Sequence, residues 1–270
     1  MNKYVVSSFL RRLGLIQIAD FVRFLIHYAG TFRSRRAFRR KYPGVVLPPA
    51  YYVYETFNLN YESFYSKSRD TAQWLISNIA AFEPFDNKKI LEWGCGPGRV
   101  IRHLPALLPS SCQFYATDYN PKYIAWCRKN LNNINFQTND LEPPLPFPEG
   151  FFDIIYSISV FTHLSLRSHY AWFAELERVA KNGGILFFTV HGEVFKEKLT
   201  ESEKKLFDRG ELVMKAGTKE GHRTFAAFQP PSFVRQLVKD HQVLAHYPGI
   251  RENGIPRQDV WIVRIVKKNG

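Results

Sequence analysis

The sequence predicts a three-layer α/β architecture, one central sheet covered by helices on both faces, preceded by a basic helical arm. Three observations point there. Short apolar runs alternate with stretches of helical spacing from about residue 70 to residue 266. One run, Ile90-Leu91-Glu92-Trp93, leads directly into Gly94-Cys95-Gly96-Pro97-Gly98, a strand, tight turn and helix in which alternate glycines let a ligand approach the backbone. Polar residues then recur at the ends of the next strands, where open α/β sheets collect their ligands.

The glycine turn is specific in what it excludes. Its spacing is G-x-G-x-G with Arg99 next, so the G-x-G-x-x-G dinucleotide fingerprint is not met. Glu92, two residues before the first glycine, would repel a pyrophosphate but can face a ligand's cationic group.

Whole-chain properties bound the answer further. A chain of 270 residues, 45% apolar, holds one α/β domain with an appendage and is incompatible with wholesale disorder. Cys95, Cys112 and Cys127 are odd in number and lack metal-ligand spacing, which fits a reducing, cytoplasmic compartment and no metal site. No apolar run approaches the ~18 residues needed to span a bilayer, and the start lacks a secretory cleavage site. The net charge is +13, and residues 1–50 carry ten Lys or Arg against the single acid Asp20, leaving the remainder only mildly basic.

In chain order, residues 5–29 show helical apolar spacing interrupted near Gly14, and a dense basic run follows from Arg33 to Lys41. This arm, residues 1–50, can pack on the domain or on a second subunit in a homo-oligomer. It can also lie on an anionic membrane surface, at the inner face of the membrane. Nucleic acid is disfavoured because no recognised reading module accompanies the arm. Residues 51–270 form the main domain, which opens with an aromatic connector around Tyr51–Tyr65. A helix is expected over Asp70–Ala81, with Asp70 as N-cap and Trp74, Leu75 and Ile79 facing inward. Strands are expected at residues 90–93, 113–117, 134–138, 152–157, 185–190, 243–247 and 260–266. Helices are expected at 100–108, from Asn120-Pro121 onward, at 169–180 and at 231–239. Asp118 ends the second strand about twenty residues past the last glycine, where a carboxylate can take ribose hydroxyls. Asn139-Asp140-Leu141 ends the third. Residues 193–228 are long for a connection between strand and helix and suit a substrate lid.

With these residues in place, the chain resembles the class I S-adenosylmethionine-dependent methyltransferases over roughly residues 65–266. Leu91-Glu92-Trp93-Gly94-Cys95-Gly96-Pro97-Gly98-Arg99-Val100 matches the family's first motif, and Phe152–Ile155, Ser157 and Phe161-Thr162-His163 match its fourth-strand region. Asn182 stands where the family usually has Pro before two glycines. The resemblance implies a Rossmann-like, mostly parallel seven-stranded sheet with an antiparallel last strand, and S-adenosylmethionine as cofactor. Gly94, Gly96 and Gly98 would lie against its methionine part, with Glu92 near the amino group. Asp118 would hold the ribose hydroxyls, and Asp140 would receive the adenine amine with Asn139 and Leu141 beside it. Trp93, Cys95, Tyr119 and Ser157 complete the implied cofactor set, and Arg69, just before the helix that leads into strand one, suits either the cofactor's carboxylate or a surface salt bridge. Residues 189–192 and the tail at 258–260 look most like bacterial glycan- and lipopolysaccharide-associated members.

Methyl transfer to a hydroxyl needs in-line positioning and removal of a proton. His163, after strand four, and His191, after strand five, are the histidines placed for that role, with Glu193 as a third group; each also suits a purely structural loop position. Several acceptors are disfavoured: no Asn-Pro-Pro-Tyr or Asp-Pro-Pro-Tyr follows strand four, no Pro-Cys supplies a thiol nucleophile, and no acidic cluster suits a metal. The expected reaction is O-methylation of a sugar, glycan or other small or lipid-linked hydroxyl acceptor. The alternatives are a small-molecule amine or carboxylate, RNA, or a non-catalytic cofactor-binding assembly subunit.

Overall fold

The structure, a computed structural model, describes residues 15–215, 219–222 and 224–268. Seven strands form one sheet: β1 (Lys89–Trp93), β2 (Gln113–Asp118), β3 (Asn135–Thr138), β4 (Phe152–Ser157), β5 (Ala180–Val190), β8 (Gln242–Tyr247) and β11 (Asp259–Arg264). Their spatial order is β3-β2-β1-β4-β5-β11-β8. The first five run parallel, and β11 enters antiparallel between β5 and β8. The expected Rossmann-like sheet is therefore present, with its antiparallel last strand inside the sheet and β8 at the edge.

The central parallel strands β1, β4 and β5 are buried on both faces over most of their length, which is why they read as largely apolar runs and not as alternating ones. Ile90, Ile154, Ile185 and Phe187 feed one core layer. Leu91, Trp93, Ile155, Leu186 and Phe188 feed the opposite one, against Trp172 and Leu176 of the helix Leu166–Val179.

Local departures from expectation have local causes. The helix expected at 70–81 runs Ser68–Ala80, with Lys67 at the N-cap position and Asp70 inside the first turn, so Asp70 is not the cap. Trp74 is partly exposed, its ring edge-on to Phe187 at 5.3 Å, whereas Leu75 and Ile79 are buried. The helix expected at 100–108 shrinks to a tight turn, Ile101–Ala106, because Pro105 cannot continue an α-helix. Asn120 caps the helix Pro121–Asn130 as expected, its Oδ1 accepting the Lys122 N–H at 3.0 Å.

The described part of the arm is helical and packed. In chain order the helices are α1 (Ile16–Gly30), α2 (Phe32–Lys41) and α3 (Ala50–Phe57). Phe24 of α1 and Phe38 of α2 join Val53, Tyr54, Tyr61 and Phe64 in an aromatic cluster beside the main core. The Tyr54 hydroxyl donates to Asp20 Oδ1 at 2.9 Å. The spacings read at residues 5–13 lie outside the described residues. The stretch 193–228 contains a tight turn (Glu193–Lys198), a helix (Glu201–Asp208) and the hairpin β6 (Val213–Lys215) with β7 (Ala226–Phe228), and a second short hairpin, β9 (Arg251–Glu252) with β10 (Ile255–Pro256), precedes β11.

Where β5 ends and β11 begins, Gly192 faces the buried Asp259, which accepts the Gly249 N–H at 2.9 Å and bonds His246 Nε2 at 2.8 Å. A Cβ at Gly192 would stand 2.1 Å from the Asp259 carboxylate. Gly192→Ala should therefore lower stability by about 1–3 kcal/mol, measured as a fall in urea midpoint with unchanged slope.

Candidate active site

Two strand-end carboxylates hold the glycine turn. The N–H groups of Gly94 and Cys95 both donate to the Thr117 carbonyl, at 2.8 and 2.9 Å, which ties the turn to β2. Asp118, buried, accepts the Gly96 N–H on Oδ2 and the Asn120 N–H on Oδ1, each at 2.8 Å. Glu92, also buried, accepts the Ile101 N–H on Oε2 at 3.0 Å. Gly96 sits at φ 53° and would have nothing within 4 Å of an added Cβ, so its backbone is open to the space in front of it. Gly98 serves packing instead: an added Cβ would meet Leu131 at 2.7 Å.

That space is a cavity of about 480 Å³ at the C-terminal ends of the parallel strands. Glu92, Trp93, Gly94, Cys95 and Gly96 line it from the first turn, Asp118 and Tyr119 from the end of β2. Asn139, Asp140 and Leu141 line it after β3, and His163 after β4. Five sequence-predicted residues are not on this wall. Gly98 backs onto Leu131 and Cys127. Ser157 is fully buried within the sheet. Arg69 is exposed on its helix. His191 lies behind the wall, its Nδ1 at 3.0 Å from the Ala227 carbonyl and its ring stacked on Phe195 at 4.2 Å. Burial pushes the His191 pKa down to about 3, so it is a neutral packing residue here and not a base facing the cavity. Glu193 is likewise absent from the wall and pairs with Lys196 at 3.4 Å.

The structure adds residues that sequence reasoning missed. Glu55, Thr56 and Phe57 of α3 line the cavity, as do Arg99 and Tyr123. Glu55 hydrogen-bonds the Tyr123 hydroxyl across the boundary between α3 and the sheet domain. Arg99, which follows the glycine turn, could have been found as the first cation after Glu92 in sequence. Glu55 carried no such signal, because it arrives from another element. Gly221 and His222 close the same wall: the Tyr119 hydroxyl donates to the Gly221 carbonyl at 3.1 Å, and the Gly221 N–H donates to the His163 carbonyl at 2.9 Å.

His163 is oriented by its surroundings. Its Nδ1 lies 2.8 Å from the Phe225 carbonyl. A carbonyl only accepts, so Nδ1 carries the proton and Nε2 is the basic nitrogen of the neutral ring.

Electrostatically the site favours a cation. Burial raises the Glu92 carboxyl to about 8, offset in part by Arg99, and raises Asp118 to about 6, offset in part by the N–H groups of Asn120 and Gly96. A positively charged ligand would favour the ionised form of both.

Residues 91–188 match the family described as the methyltransferase domain. Over those residues the chain is similar to a methyltransferase domain. The match spans the glycine turn, Asp118, Asn139–Leu141, His163 and β5 as far as Phe188. Among curated proteins, the chain is 29% identical over 150 residues to a malonyl-[acyl-carrier protein] O-methyltransferase of Bacillus cereus, covering 52% of this chain and 51% of that protein. It is 34% identical over 93 residues to the methyltransferase str3 of Strobilurus tenacellus, covering 34% and 32%. The chain spans about half the length of the curated relatives it matches first. Among solved structures, a SAM-dependent methyltransferase from Methanosarcina mazei has a TM-score of 0.54 at 17% identity, covering 71% of this chain and 98% of that one. Magnesium protoporphyrin IX methyltransferase from Synechocystis, solved with bound SAH, also gives 0.54, at 15% identity over 87% and 96%. These structural likenesses establish the fold.

The cofactor of such a domain is S-adenosylmethionine, and the cavity's donors and acceptors fit it. Gly96 leaves open backbone, Glu92 and Asp118 are acids at adjacent strand ends, and Asn139 Oδ1 is a buried acceptor with no partner among the described residues.

The raised Glu92 pKa makes a prediction about the ligand-free protein. Native Glu92 stays protonated up to about pH 8, whereas the unfolded carboxyl ionises above its ordinary 4.5. Rising pH therefore favours unfolding of the wild type, and Glu92→Gln removes that contribution. The stability difference should move in favour of the variant by about 2–4 kcal/mol between pH 5 and pH 8, read from urea unfolding at each pH.

Proposed function

We propose that this methyltransferase domain uses S-adenosylmethionine to O-methylate a hydroxyl of a sugar, glycan or other small or lipid-linked acceptor by in-line transfer. The observation that carries the reading is His163: a histidine on the cavity wall whose tautomer presents Nε2 as the basic nitrogen.

S-adenosylmethionine supplies an electrophilic methyl group on a sulfonium with its own leaving group, so the protein's work is positioning and proton removal. On this reading Gly94, Gly96 and Glu92 receive the methionine part, and Arg99, which stands on the wall where Arg69 does not, holds its carboxylate. Asp118 accepts from the ribose hydroxyls, while Asn139, Asp140 and Leu141 border the adenine. Trp93 and Tyr119 supply flanking surface. Gly221 and Phe225, tied to the His163 carbonyl and Nδ1, close the acceptor side and exclude water. His163 Nε2 takes the acceptor hydroxyl proton as the oxygen attacks.

A second reading has a specific support. The Bacillus cereus relative is named for O-methylation of malonyl-[acyl-carrier protein], which favours a carboxylate acceptor here. A carboxylate is already ionised at neutral pH and needs no base. The two readings separate on His163.

Calorimetry with S-adenosylmethionine should show a single binding site, and absence of binding at millimolar cofactor would sink both readings. A screen of glycan, lipid-linked and carboxylate acceptors with methyl-labelled cofactor then identifies the product by mass. His163→Ala should lower kcat for a hydroxyl acceptor by about 10²–10⁴-fold with cofactor affinity nearly unchanged. Wild-type turnover in that variant would support the carboxylate acceptor instead.

A further inference from the structure

Helix α1 is amphipathic twice over. Asp20, Phe24 and His27, at i, i+4 and i+7, face the aromatic cluster: Phe24 packs edge-on to Tyr51 and Tyr54 at 5.1 and 5.4 Å, and His27 packs against Tyr54. Ile18, Phe21, Val22, Leu25 and Ile26, at i, i+3, i+4, i+7 and i+8, form a second stripe on the outward side. Each of these five is between 49% and 68% exposed, and Leu15 and Phe32 extend the patch at its two ends. Scattered apolar residues on a surface are ordinary, whereas five large ones on one helical stripe mark an interaction surface.

Charge identifies what the stripe meets. Between Asp20 and Glu55 the sequence contains no acid but seven Lys or Arg. On α2, Phe38 is buried, and Arg33, Arg36 and Arg40, at i, i+3 and i+7, fall on the side away from it, exposed. Arg23 on α1 and Arg39 on α2 are also exposed. A second copy seated on this surface would bring two such basic helices together, which is repulsive. An anionic lipid surface satisfies both features, with apolar side chains entering the acyl boundary and arginines at the headgroups. Among the described residues no helix is long and apolar enough to cross a membrane, so the helix would lie along the surface.

We propose that α1 and α2 form a docking surface for an anionic lipid bilayer, with the Ile18–Ile26 stripe inserted and the α2 arginines at the headgroups. The proposal deepens the acceptor reading above, since it presents the site to acceptors held in a membrane, but its test requires neither an acceptor nor turnover.

The test is co-sedimentation of the full chain with vesicles of phosphatidylglycerol and phosphatidylcholine mixed in equal parts, compared with phosphatidylcholine alone. The wild type should bind the anionic vesicles, lose most of that binding in high salt, and bind neutral vesicles at least about tenfold more weakly. Phe21→Ser with Ile26→Ser should weaken anionic-vesicle binding by about tenfold or more, and Arg33→Gln, Arg36→Gln and Arg40→Gln together by a comparable factor. Circular dichroism and calorimetry with S-adenosylmethionine check that both variants are folded and still bind cofactor, because neither set lines the cavity. Equal binding to both vesicle types would overturn the proposal. So would no binding to either, or wild-type binding by the folded Ser variant. Self-association of the wild type that the Ser variant abolishes, without vesicle binding, would assign the stripe to a second copy of this chain. Loss of vesicle binding with intact cofactor binding leaves the methyltransferase reading standing.

Discussion

Everything at the functional end of this fold depends on two carboxylates buried side by side at the ends of β1 and β2. Removing a carboxylate from water is costly, and the chain recovers part of that cost by having each acid accept backbone N–H groups. Asp118 takes those of Gly96 and Asn120, fixing the glycine turn to the start of the next helix. Glu92 takes that of Ile101, fixing the far side of the same turn. The bonds are too few to restore ordinary acidity, and burial leaves both groups raised, to about 6 and about 8. The turn thus has a rigid backbone and a preference for positive charge that Arg99 meets only in part.

The same constraint explains how much of the molecule was legible in the sequence. Strands buried on both faces are mostly apolar, so Phe152–Ser157 is bounded in the sequence as it is in the structure. The glycine turn and the polar ends of β2 and β3 carry their signals locally, and Glu92, Asp118, Asn139 and Asp140 do meet around one cavity. What the sequence conceals is contact between distant elements. Glu55 reaches the cavity from α3, far from the motif in sequence, and no periodicity marks it. His163 and His191 looked equivalent, each just beyond a strand end. The hairpin of β6 and β7 separates them: it takes His191 into its packing, against Phe195 and Phe228, and leaves His163 on the wall.

That hairpin also accounts for the long connection after β5. A crossing between β5 and the helix Pro231–Leu237 could be made in a few residues. The longer route brings Gly221 to the Tyr119 hydroxyl and the Phe225 carbonyl to the His163 ring. One segment thereby bridges the ends of β2 and β4, which form opposite sides of the cavity. A change in its position would alter both the opening of the cavity and the hydrogen bond that sets the His163 tautomer. Admission of an acceptor and readiness of the proposed base are consequently coupled through the same few residues.

The arm adds a second coupling of this kind. Its inner face is committed to the aromatic cluster through Asp20 and Phe24, so α1 is not a loosely tethered anchor but a packed element with one face left over. Tyr54, the hydroxyl partner of Asp20, belongs to α3, and the next three residues of that helix, Glu55, Thr56 and Phe57, line the cavity. A surface engaged by the outer stripe of α1 is therefore one helix removed from the site, and the connection runs through buried side chains and a hydrogen bond. Packed side chains transmit displacement because there is little free volume to absorb it. Any partner held by α1 would bear on the α3 wall, the part of the cavity that neither the glycine turn nor the strand ends control.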